Sequence, residues 1–182
     1  MFKTVLGACA LSVVFIVPLQ AAGPVPTSQE IVEALRPSGL EDRSQIGART
    51  LVPDDGERGV TVEGGDPVVP SIDLQVAFEF DSAVLLNEAL LTLERLGDAL
   101  THESFADTRF RIIGHTDARG TVEYNDELSL RRANAVVDYL VTHYQLPRDR
   151  LDVDGMGKAM LLPGIHPEDE RNRRVEIQNI GS

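Results

Sequence analysis

The chain has 182 residues, and its 17 Lys and Arg stand against 29 Asp and Glu, a formal charge of −12. That length suits one domain with a tail, long enough to bury a sizeable core. The acidity argues against sequence-independent binding to nucleic acid, whose phosphates are held by Lys and Arg. The local cluster of Arg111, Arg119, Arg131 and Arg132 reads as solvated surface, so no nucleic-acid partner is expected.

Residues 1–22 have the pattern of a secretory signal peptide: Lys3, then an apolar run from Val5 to Val17, then Pro18, Ala21 and Ala22 at a cleavage zone. Export is the expectation. The run is short for a spanning helix, which needs about 20 apolar residues, so an uncleaved anchor is the less favoured reading. Leu6-Gly7-Ala8-Cys9 has the form of a lipobox, but only eight residues precede Cys9 and the apolar run continues past it, so a chance match is preferred. Without Cys9 the mature chain has no thiol for a disulfide or a cysteine metal site.

Residues 23–70 are rich in Pro and Gly, with turn signals at Asp54-Asp55-Gly56 and Gly64-Gly65-Asp66-Pro67, and read as a linker. Thr27 and Glu30 have capping-box spacing ahead of Ile31, Val32 and Leu35, which predicts a short helix over 28–36. That helix is either transient in a tether or docked on something. Gly59 to Glu63 could add an edge strand.

Residues 71–182 carry the domain. Ser71 to Phe80 alternates, with Ile72, Leu74, Val76, Phe78 and Phe80 on one side, which predicts a strand with one buried face and a sheet covered by helices on a single side. Asn87 is expected to cap a helix with a stripe of Leu90, Leu93, Leu96 and Leu100, and Gly97 as its weak position. A strand over about Thr108 to Ile113 is followed by a loop between Gly114 and Gly120. A long helix follows, with Asn125 as expected N-cap, ending at Gln145-Leu146-Pro147. Short strands are expected at Arg150 to Asp154 and at Asn172 to Ile177, the latter with Val175 and Ile177 inward. The fold class is therefore α/β (α+β), a two-layer βαβαββ sandwich with a mixed sheet covered by helices on one face.

Arg132 stands four residues from both Leu128 and Val136, so it projects from the inward side of its helix and needs a partner. Asp117, on the loop before that helix, is the nearest candidate. Two readings stay open: a buried salt bridge between them, or a facing acid and guanidinium that together grip a zwitterion, the carboxylate taking an ammonium and the guanidinium forking onto a carboxylate. Thr116 and the amides around Asp117 can donate to a ligand carboxylate, and Asn125 can orient the loop as well as cap.

The stretch IIGHTDARGTVEYNDELSLRRA from Ile112 to Ala133 resembles the signature of the OmpA-like peptidoglycan-binding domain, and FEFDSA and NRRVEI extend the resemblance from about Ile72 to Ile177. It implies a periplasmic, outer-membrane-associated binding module, with no catalytic residue and no cofactor, that holds cell-wall peptidoglycan through meso-diaminopimelate. The family's two ligand residues fall on Asp117 and Arg132, and Arg174 resembles its NRRV arginine. Met156 and Lys158 depart from the aromatic and acid often found in that segment.

Two other functions compete. One is an interaction module docking on another outer-membrane or envelope protein. The other is a metal-dependent wall hydrolase using His115, Asp117 and some of His102, His143 and His166; no HExxH spacing supports it.

Overall fold

The computed structural model describes residues 25–37 and 69–182. The signal-peptide, Cys9 and Gly59 to Glu63 readings lie outside the described residues.

Thr27 and Glu30 cap each other: the Thr27 N–H donates to Glu30 Oε2 at 2.6 Å, and the Glu30 N–H donates to Thr27 Oγ1 at 3.3 Å. Helix α1, Ser28–Leu35, starts there, and its Ile31, Val32 and Leu35 are buried in the common core. The docked reading of this helix is the one observed. Arg95 donates to the carbonyls of Val25 and Pro26 ahead of the helix, and the buried Asn179 donates to Leu35 O at 2.8 Å behind it.

The remaining elements run β1 (Ser71–Leu74), α2 (Leu90–Leu100), β2 (Arg109–His115), α3 (Val122–Tyr144), β3 (Leu151–Gly157) and β4 (Val175–Gly181). The sheet order is β1-β4-β2-β3, with β2 and β3 parallel and the other two pairings antiparallel. This is the mixed βαβαββ sandwich that the periodicity predicts. One row, Ile72, Ile177, Ile112 and Val153, crosses all four strands in register. Those side chains meet α1, α2 and α3, while Asp73, Glu176, Arg111 and Asp152 take the opposite face.

Three boundaries differ from expectation. β1 stops at Leu74 because β4 begins at Val175, its register partner, so no ladder continues to Phe80. The chain turns instead into a small hairpin, bridged between Phe78 and Leu85. Asn87 opens a 3₁₀ turn, Asn87–Ala89, ahead of α2, with no side-chain cap, and Leu90 is left partly exposed. The cap of α3 is Thr121, whose hydroxyl accepts from Tyr124 N at 3.2 Å, so Asn125 lies within the helix.

The close seat of α3 on the parallel pair depends on glycine. A Cβ at Gly114 would come 2.1 Å from Ser129 O, and one at Gly155 would come 2.6 Å from Leu130 N. Ser129 Oγ then accepts from Gly157 N at 2.9 Å and donates to Asp126 O at 2.9 Å, which fixes the first turns of α3 over the ends of β2 and β3.

Candidate functional site

The chain bends sharply where β2 ends, and the loop it forms is tied down on every side. Thr116 N donates to Gly157 O at 2.8 Å, Ala118 N to Pro167 O at 3.0 Å, and Lys158 Nζ to Gly120 O at 2.7 Å. Asn125 Nδ2 donates to Arg119 O at 2.6 Å and to Thr121 O at 2.9 Å. Asn125 is thus a loop-orienting residue without being a cap, and Lys158 holds the same loop from the opposite side.

Between this loop, the N-terminal turns of α3 and the 77–86 hairpin lies a cleft of about 470 Å³. Thr116, Asp117, Asn125 and Arg132 all line it, with Arg119, Arg173, Glu79 and Asp81. Three carboxylates and three guanidiniums therefore share one concavity. Its remaining wall is Phe78, Phe80, Tyr124 and Leu128, with Gly120.

Asp117 and Arg132 do not pair with each other. Asp117 Oδ2 takes Arg173 Nη1 at 2.8 Å, and its Oδ1 accepts from the Arg119 N–H at 3.0 Å. Arg132, only 8% exposed, donates from Nε to Ser82 O at 2.9 Å and lies 5.0 Å from the centre of the Phe78 ring. It makes no ion pair with any described residue. Burial, and then the neighbouring Arg173 cation, press its pKa below the usual guanidinium value, against the pull of Tyr124, Asp117 and Asp81. Such a cation is short of counter-charge. Thr116 is also buried, and its hydroxyl has no partner among the described residues.

Arg174 is not in the cleft. Its buried guanidinium goes to Asp73 Oδ1 at 2.8 Å and to Met160 O at 3.2 Å, on the other side of the sheet. Of the two adjacent arginines, the one in the cleft is Arg173, which sequence reasoning passed over. The signal was present in the strand alternation: with Val175 and Ile177 on the helix-covered side, period two puts Arg173 with them and Arg174 opposite.

The metal reading finds no support in the geometry. Among the described residues no group of three His, Cys, Asp or Glu side chains is placed to hold an ion. His115 is buried against Glu176 at 3.2 Å, His102 and His166 each accept from a backbone amide two residues on, and His143 packs on Tyr139.

A model of the OmpA family matches residues 77–174, a span that contains every residue lining the cleft. The chain belongs to the OmpA family. Outer membrane porin F of Pseudomonas aeruginosa is 34% identical over 130 residues, covering 68% of this chain and 37% of the relative. Outer membrane protein A of Escherichia coli O157:H7 is 36% identical over 102 residues, covering 56% of this chain and 29% of the relative. This OmpA-family chain thus spans well under half the length of either relative. Among solved structures, the OmpA-like domain of FopA1 from Francisella tularensis superposes with a TM-score of 0.51 at 25% identity, covering 62% of this chain and 76% of that one.

Proposed function

We propose that the chain attaches noncovalently to peptidoglycan in the periplasm, and that its cleft grips the zwitterionic side-chain end of meso-diaminopimelate in the stem peptide. The observation that carries this reading is Arg132: a buried guanidinium on the cleft wall with no carboxylate paired to it among the described residues, facing the same space as Asp117. The ligand carboxylate supplies what Arg132 lacks, with the Thr116 hydroxyl free to donate beside it. The ligand ammonium goes to Asp117, where it competes with Arg173. Three charges of each sign suit a zwitterion better than a simple anion or cation. The family's ligand positions, carried over by motif, are the same two residues.

Sedimentation with purified sacculi tests it. Arg132→Ala and Asp117→Asn are each expected to weaken retention at least thirtyfold, since removing one partner of a buried charged contact costs roughly 2–5 kcal/mol. Circular dichroism should show the fold intact. Sacculi carrying lysine in place of diaminopimelate lack the distal carboxylate and should be retained poorly. Full retention by both variants would reject the site, and equal retention on lysine-type walls would reject the diaminopimelate assignment alone.

A further inference from the structure

Phe80 is the anomaly of the cleft. Strand alternation places it on the buried face, yet its side chain is 99% exposed, while Asp117 and Arg132 in the same cleft are 6% and 8% exposed. The charged pair therefore forms the floor and the phenyl ring the lip.

The ring is not on slack chain. Glu79 N donates to Val84 O at 2.9 Å, Leu86 N to Ala77 O at 3.1 Å, and Val84 N to Ser82 Oγ at 3.0 Å. From across the cleft, Arg132 Nε holds Ser82 O and the Tyr124 hydroxyl donates to the Asp81 carboxylate. Asp81 itself turns the tip at φ 54°, a left-handed conformation that Asp tolerates better than most residues. A hairpin braced from two walls presents one aromatic ring to water beside a charged floor.

We propose that Phe80 is a stacking platform for the saccharide of the ligand, placed so that stem peptide and sugar are read together. The idea rests on the proposed binding of peptidoglycan. A ring with almost no protein around it offers no socket for a methyl group; it gains contact area only against something broad and flat, and the apolar C–H face of a pyranose is such a surface. In a stem peptide two residues separate the sugar from diaminopimelate, a reach on the order of 10 Å. A ligand whose charged end lies on the floor thus carries its sugar out past the lip. Tyr124, which lines the same cleft and is 38% exposed, would hold the platform through Asp81 without having to touch the sugar.

Titration calorimetry with two probes, the free tripeptide L-Ala-D-Glu-meso-diaminopimelate and the corresponding disaccharide tripeptide, separates the two ideas. The wild-type protein should bind the disaccharide tripeptide roughly three- to tenfold tighter than the tripeptide, the range expected of one aromatic stack. Phe80→Ala should bring the two affinities together by weakening the disaccharide tripeptide more than the tripeptide, and Phe80→Trp should keep them apart; full exposure makes both variants safe for folding. A tripeptide that binds with no gain from the sugar, or a Phe80→Ala loss that is equal for both probes, overturns the platform alone. Failure of the wild-type protein to bind the tripeptide overturns the reading of the charged floor and the platform with it.

Discussion

At the scale of single residues, the cleft shows how much a charge depends on who else is near. Arg132 was legible from spacing alone, because a cation four residues from two core positions has few places to go. Its lack of an ion pair among the described residues was not legible. Arg173 is fixed by the approach of β4, more than fifty residues along the chain from Asp117. Phe80 misled for a related reason: alternation describes a strand only while a neighbouring strand exists to pair with it, and here the neighbour starts at Val175. On the opposite face of the sheet, His115 Nε2 donates to Glu176 Oε2 at 3.2 Å, and Gln178 Nε2 donates to the same carboxylate at 2.9 Å. The hydrogen bond from His115, opposed by partial burial and aided by Gln178, lowers the Glu176 pKa below its ordinary value of 4.5. A depressed carboxylate stabilises the fold above its unfolded pKa and loses that contribution as pH falls through the lower folded value. Thermal melts taken from neutral pH downward should therefore show the melting temperature falling below about pH 4.5, and Glu176→Gln should fall less steeply over that window. Parallel curves for the two proteins would show that this contact carries no pH dependence.

At the scale of elements, the seat of α3 connects packing to binding. The helix itself was easy to read, from its apolar stripe and from Pro147, which cannot continue it; the chain leaves the helix at Gln145, left-handed at φ 53°. Its start was misread because Thr121 and Asn125 are both good capping residues, and only the backbone path decides which hydroxyl or amide meets the free N–H groups. How near the helix lies to the strands is set by Gly114 and Gly155, whose missing side chains are filled by helix backbone. Gly114→Ala is expected to push α3 outward and to cost about 1–3 kcal/mol of stability, measured by urea denaturation. Because Arg132 travels with the helix while Asp117 stays on the loop, sacculus retention should fall even at temperatures where the variant is fully folded. Retention equal to wild type would mean that the cleft tolerates a displaced α3.

At the scale of the whole molecule, the sandwich that carries the cleft is not built from residues 71–182 alone. The short amphipathic run after Thr27 announced a helix, yet nothing local says whether its apolar face meets a core; that is settled by the apolar surface of α2 and β1 opposite it. Ile31 and Leu35 are fully buried and Val32 nearly so. Removing residues before 69 deletes three core side chains, each worth roughly 1.5–3 kcal/mol, and should lower the melting temperature by more than about 10 °C. Since no residue of α1 lines the cleft, retention on sacculi in the cold should be unchanged. A truncated chain that melts like the full one would show that α1 adds nothing to the fold.

The clasp at both ends of α1 also decides how the molecule answers a mechanical load. Tension arriving from upstream of residue 25 meets Arg95 and then Asn179 before it reaches β1, so the helix is the link that parts first. Its release leaves the cleft intact, since no residue of α1 lines it. Under the proposed attachment to the wall, the grip is spared the first part of any tug, and re-docking of one small helix resets it.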